Sequence, residues 1–136
     1  MLSIEPPDVS ARGTVVNKGV FASEADALEN VLRRLVDEFD PQTVWLFGSR
    51  ASGRGRPASD FDLLFVAKPG GRFGSDDYEL VIEPLRGLGV GCDVVPCSAE
   101  DFAEGAAIRT SLVAQVLEHG RMLYESTLMR TIQGGR

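Results

Sequence analysis

A short connection between two apolar, β-rich runs constrains this chain more than any other feature. Thr43–Phe47 (Thr, Val, Trp, Leu, Phe) and Phe61–Ala67 both read as core strands. The segment between them, Gly48–Asp60, is too short for a parallel crossover, so the two strands run antiparallel if they pair. The end of the first strand then lies beside the start of the second. Gly48 and Ser49 are thereby brought next to Asp60 and Asp62, and the rest of the chain is best read around that meeting point.

Asp60 and Asp62 stand two residues apart at a strand start, so their carboxylates share one face of the sheet. Carboxylates so placed repel each other and stay ionised only near positive charge. Mg²⁺ supplies such charge, and it is typically held by one or two carboxylates plus substrate phosphate oxygens. A lone Asp-x-Asp is also what an ordinary solvated strand end carries; Gly48-Ser49 sets this one apart. Glycine lets the backbone approach a ligand closely, and the following N–H groups with the Ser49 hydroxyl can cradle a phosphate. A helical turn over Arg50–Gly53 would add a favourable dipole for an anion. No Gly-Lys-Ser/Thr follows, which excludes a P-loop. Phosphate cradle first, metal-binding carboxylates on the next strand: the order is that of phosphoryl or nucleotidyl transfer.

On these residues the sequence resembles the nucleotidyltransferases of the DNA polymerase β superfamily, and within it the minimal, stand-alone MNT branch. The signature of that family is Gly-Ser, a short variable segment, then Ser-Asp-x-Asp and apolar residues. It stands here as Gly48-Ser49, Arg50–Ala58 and Ser59-Asp60-Phe61-Asp62-Leu63. The resemblance spans roughly Ala25 to Glu125. It implies a small α/β (α+β) nucleotidyltransferase fold: a central mixed sheet of at least three strands, helices mainly on one face, and an active cleft on the other.

The resemblance also implies a third metal-binding carboxylate on the strand after the second helix. Asp93 is the acid able to fill that place in Val90–Pro96, where Val90, Cys92 and Val94 share one face and Gly91, Asp93 and Val95 the other. An acid inside an apolar strand is costly if buried without a partner; on an edge strand it would simply face water. With three acids and a cradle, the expected chemistry is in-line transfer assisted by two Mg²⁺ ions, with ATP as donor. Asp60, Asp62 and Asp93 would be the catalytic metal ligands, and Gly48, Ser49 and Arg50 would bind the nucleotide. Ser49 would be a phosphate ligand and not a nucleophile, since no base is placed to activate it. Arg50, Arg54 and Arg56 in the signature loop are either solvated or in contact with the triphosphate, which suits arginine's planar fork.

For minimal members the resemblance implies pairing with a small helical HEPN-class partner, usually a ribonuclease toxin. The nucleotidyltransferase is then the antitoxin, adding AMP to a partner tyrosine. Two other expectations stand beside it: neutralisation by occlusion alone, with an inactive cleft, and transfer to a small molecule. The formal net charge of −6, from 20 acidic against 14 basic residues, disfavours nucleic acid as the direct acceptor, because nucleic acid is gripped by a basic stripe. The same charge complements a basic ribonuclease.

The remaining chain frames this centre. We expect an arm over 1–22, a nucleotidyltransferase domain over 23–125 and a tail over 126–136. Within the arm, Thr14–Val16 could form a short strand. Ser23 reads as the N-cap of a helix to Phe39, with Leu28, Val31, Leu32, Leu35, Val36 and Phe39 on its apolar face and Pro41 past its end. Trp45 is expected in the core. Ser75–Arg86 reads as a helix ended or kinked by Pro84, with Tyr78, Val81, Ile82 and Leu85 inward. Ser98 opens a short helix. Ala106–His119 reads as a longer one with Ile108, Leu112, Val113, Val116 and Leu117 in its stripe, and Arg121–Tyr124 as a closing strand or turn. His119 suits the helix C-terminus as a cation facing the dipole. No apolar run reaches the roughly 18 residues that span a membrane, and MLSIEPPDVS lacks the pattern of a secretory signal. A cytoplasmic location with Cys92 and Cys97 as reduced thiols is therefore expected.

Overall fold

Ser23 begins the first helix as its composition demands. In the computed structural model, which describes residues 16–53 and 59–126, its side chain accepts from the Asp26 N–H and opens α1, Glu24–Phe39. Asp40 closes that helix in the left-handed conformation, and Pro41 cannot continue it. Ala27, Val31, Leu35 and Phe39 recur at helical spacing and are buried against the sheet. The tail 127–136, arm residues 1–15 with most of the suggested Thr14–Val16 strand, and Arg54 and Arg56 lie outside the described residues.

The sheet has four strands in the order β3-β2-β1-β4. They are β1 (Thr43–Phe47), β2 (Phe61–Val66), β3 (Cys92–Cys97) and β4 (Arg121–Glu125). β1 pairs antiparallel with both β2 and β4, while β2 and β3 are parallel. One face carries Val44, Leu46, Phe61, Leu63, Phe65 and Val94 into the main core with α1. There Phe65 and Phe73 stack at 4.6 Å, and Phe39 meets both edge-on at 5.8 Å. The opposite face buries Leu64, Val66 and Cys97 under Val113 and Val116. Trp45 and Phe47 pack against this second cluster, and the Trp45 indole donates to Thr43 Oγ1 at 3.0 Å.

Helices therefore lie on both faces, with the shorter pair on the second. That pair is where the sequence expectation needs correcting. Ala106–His119 is not one helix: α4 covers Ala99–Ala106, and α5 covers Leu112–His119. Ser111 makes the break. Its hydroxyl accepts from the Ala114 N–H as an N-cap and donates to the Gly105 carbonyl, folding α5 back on α4. Of the expected stripe only Val113 and Val116 are buried, whereas Ile108, Leu112 and Leu117 are exposed. Likewise the helix expected over Ser75–Arg86 is only α3, Tyr78–Ile82. Asp77 turns its carboxylate back to the Gly74 N–H, and Pro84 tightens the end into a 3-10 turn, Glu83–Leu85. Tyr78, expected inward, is exposed. The third strand runs from Cys92 to Cys97, two residues later at its start than expected and one at its end.

Candidate active site

The short loop between β1 and β2 does what its length requires. Phe47 is opposite Asp62 in the antiparallel register, so Gly48 follows directly beside that aspartate. Gly48 has φ +77°, and a Cβ there would run into the Asp62 carboxylate. Only glycine meets both demands. Beyond it, α2 (Ser49–Ser52) forms a single turn in which the Ala51 and Ser52 N–H groups bond back to the Gly48 carbonyl. Ser49 opens that turn and is exposed.

On the other side of Asp62, the parallel β2–β3 register sets Asp93 directly alongside it. Side chains alternate along a strand, so both stand on the face shared with Phe47 and Val95. Asp60 precedes β2 and lies against Gly91, where a Cβ would meet its carboxylate. The structure therefore brings together Gly48, Asp60, Asp62 and Asp93. Burial, then the fields of Asp93 and Asp60, push the Asp62 carboxyl above the ordinary aspartate value. Burial also raises the Cys92 thiol to about 12, with Asp60 and Asp62 adding to the shift, so that cysteine stays protonated.

Arg50 is held differently from a free phosphate ligand. Its guanidinium forks onto Glu24 with two 2.9 Å bonds, donates to the Ser59 carbonyl at 2.8 Å, and lies 4.7 Å over the Phe61 ring. It joins α1, α2 and the approach to β2, and its charge reaches Asp60 as a field.

Asn17 has no sequence signal and proves central. It is 7% exposed. Its amide nitrogen donates to the carbonyls of Ser59 (2.9 Å) and Gly91 (2.8 Å), and its oxygen accepts from the Gly91 N–H at 2.6 Å. One side chain thus continues the β2–β3 ladder past its last backbone bond, Phe61 N–H to Gly91 carbonyl at 3.0 Å. The spacing of Asp60 and Asp62 from Asp93 is pinned from behind.

Three carboxylates gather here, and none of the ion pairs among the described residues involves them. Nor do three acidic, histidine or cysteine groups among those residues form a preformed metal cage. The donor set is nevertheless that of a hard divalent ion. Its oxygens are ionisable, and one carboxyl is raised by burial and by its like-charged neighbours.

Fold and site define a small α+β domain in which three carboxylates gather beside a glycine turn. The chain belongs to the nucleotidyltransferase domain family, whose pattern matches residues 28–123. Among solved structures, it is similar to a candidate nucleotidyltransferase from Sulfolobus solfataricus, at 20% identity over 74% of this chain and 78% of the other, with a TM-score of 0.52. It is also similar to a toxin–antitoxin structure with AMP-PNP, at 20% identity, coverage of 76% and 78%, and a TM-score of 0.48. A mutant MntA–HpeT toxin–antitoxin structure follows, at 17% identity, coverage of 79% and 77%, and a TM-score of 0.45. At such identities likeness speaks to the fold alone, and the first comparison carries it. No curated protein matches the chain.

Proposed function

We propose that this chain is a Mg²⁺-dependent nucleotidyltransferase that moves AMP from ATP to a hydroxyl, a tyrosine, of a partner protein. The partner proposed is a HEPN-type ribonuclease toxin, with this chain as its cytoplasmic antitoxin. The observation that carries the transferase reading is the side-by-side placement of Asp62 and Asp93, with Gly48 closed against the first. Support for the acceptor comes from the resemblance to the minimal branch and from the net charge of −6, which favours a basic partner.

In this reading Asp60, Asp62 and Asp93 would hold Mg²⁺, which neutralises phosphate charge and promotes loss of the acceptor proton. Gly48, the Ser49 hydroxyl and the N–H groups of Ser49 and Arg50 at the start of α2 would hold the pyrophosphate end of ATP. Arg50 steadies that turn through Glu24 and Ser59 and adds positive field. The acceptor oxygen forms a bond to the α-phosphorus, the bond to pyrophosphate breaks, and the hydroxyl proton passes to a base at the rim. Asp93 is exposed and stands on the outer strand, where that base is needed.

The test is the intact mass of a purified helical partner, encoded beside this chain, after incubation with substoichiometric protein, Mg²⁺ and ATP. Transfer adds one or more AMP units to an excess of partner. No gain in mass, with full neutralisation by the Asp60→Asn/Asp62→Asn double variant at equal stoichiometry, would replace this reading with occlusion.

A further inference from the structure

The carboxylate face carries one feature that the transfer chemistry leaves unused. Beside Gly48, between the end of β1 and α5, a cavity of about 270 Å³ is lined by Phe47, Gly48, Gln115, Val116 and His119. Phe47 is paired with Asp62 across the β1–β2 ladder, so the cavity starts one side chain from the carboxylates. Asp93 lies beyond Asp62, on the opposite flank. Phe47 and Val116 give the cavity apolar walls. Gln115 and His119, four residues apart on one face of α5, give it a polar rim. The Gln115 carboxamide makes no hydrogen bond within the described residues and is exposed at this rim.

The volume is just under the usual range for whole-ligand pockets, about 300–1,000 Å³. A small cavity with apolar walls and a polar rim has room for part of a ligand, such as a heteroaromatic ring. In-line geometry decides which part. The entering oxygen and the leaving pyrophosphate lie on opposite sides of the α-phosphorus. If the turn at Gly48-Ser49 holds the pyrophosphate, the acceptor comes from the far side, over Asp93 and the sheet edge. A cavity that abuts Gly48 is then misplaced for the acceptor. It is well placed for the nucleoside, the third arm of the same phosphorus.

We propose that this cavity is the nucleobase subsite of the donor, and that Gln115 selects adenine there. This rests on the transferase reading above. A carboxamide offers one donor and one acceptor side by side, the complement of adenine's amino group and N7. Along that N7 edge guanine presents two acceptors, N7 and O6, which leaves the glutamine oxygen unmatched. Phe47 supplies the ring face on which a base stacks.

Calorimetric titration with ATP, GTP and inorganic tripolyphosphate, all with Mg²⁺, separates the possibilities. The wild-type chain should bind ATP about tenfold or more tightly than either of the others. Gln115→Leu should bring ATP to the level of GTP and leave tripolyphosphate unchanged. Gln115→Trp, at an exposed position that folding does not depend on, should fill the mouth and reduce ATP to the level of tripolyphosphate. Equal binding of all three ligands by the wild type overturns the base subsite while leaving the cradle standing. An ATP preference that survives both variants overturns the role of the cavity. Failure of all three to bind overturns the transferase reading itself.

Discussion

The two ends of the β2–β3 ladder differ in a way that separates space from chemistry. At the far end, the loop after β2 and the start of α4 enclose the roomier cavity, about 380 Å³, with Lys68, Arg72, Ser98 and Glu100 among its lining. Its cations are already engaged. Lys68 pairs with Asp40 at 2.8 Å, and Arg72 donates to the Glu38 carbonyl at 2.7 Å. The Ser98 hydroxyl caps α4 through the Asp101 N–H. The near end has less room and more unbalanced charge: Asp60, Asp62 and Asp93 are adjacent, with no ion pair to a described residue. A group whose electrostatic demand is met inside the protein has little left to offer a ligand. Unmet demand marks the site better than volume does.

Charge-removing substitutions test that contrast most severely. If the proposed transfer is right, Asp62→Asn, or Asp93→Asn, should lower ATP-dependent pyrophosphate release on the order of 10³-fold with the fold intact, since each would remove a proposed metal ligand without changing shape. Lys68→Ala at the far end should leave the rate within about twofold. A comparable loss at Lys68 would break the contrast.

Asn17→Ala should have the next largest effect. It leaves the part-buried Gly91 N–H without its partner, at a cost of about 1–3 kcal/mol, while the Ser59 and Gly91 carbonyls keep Arg50 and the Phe61 N–H. Denaturant titration should show that loss. Mg²⁺ titration monitored by thermal shift should show weaker binding as well, because the carboxylates lose their fixed spacing. Reduced stability with unchanged Mg²⁺ response would make Asn17 purely structural.

Asp62 itself gives a smaller effect of opposite sign. Its carboxyl is raised, so ionisation costs the folded state stability above that folded value, and the cost vanishes as pH falls below the unfolded one. In chelator, Asp62→Asn should therefore raise Tm by about 2 °C at neutral pH, and the gain should shrink towards acid pH. A gain that grew on acidification would refute the raised Asp62 carboxyl. The smallest signal is expected from the thiols. Burial, helped by Asp101 and opposed by a hydrogen bond from Ser75, holds Cys97 up at about 11, and Cys92 stands at about 12. Iodoacetamide at pH 7.5 should label the native chain only marginally, and labelling should rise on unfolding.

Much of this was legible from local pattern. Ser23 as N-cap, Thr43–Phe47 as a strand and the antiparallel turn at Gly48 follow from periodicity, capping and loop length, all read within a few residues. The same local reading placed Asp60 and Asp62 beside Gly48. What it missed depends on partners far along the chain. Asn17 bonds to Gly91 across 74 positions, and no window around a single asparagine announces that. For Arg50 the local reading gave the phosphate turn beside it but not its fork onto Glu24, 26 residues away. The split at Ser111 was hidden because Ile108, Leu112 and Leu117 keep helical spacing while remaining in solvent. Periodicity reports which residues could share a face, not whether anything covers it.

The outer border of β3 has a consequence for self-association. Gly91 and Cys97 direct their carbonyls inward, to the N–H groups of Phe61 and Ala67, so the alternate residues between them present their backbone outward. Pro96 is one of these, and its missing donor falls on the open side of the strand. Asp93, exposed on the same strand, adds a charge that another copy would have to desolvate. A bare strand border invites a second chain to zip on and polymerise. Among the described residues no strand pairs with this border, and Pro96 and Asp93 make it a poor template for a strand of another copy.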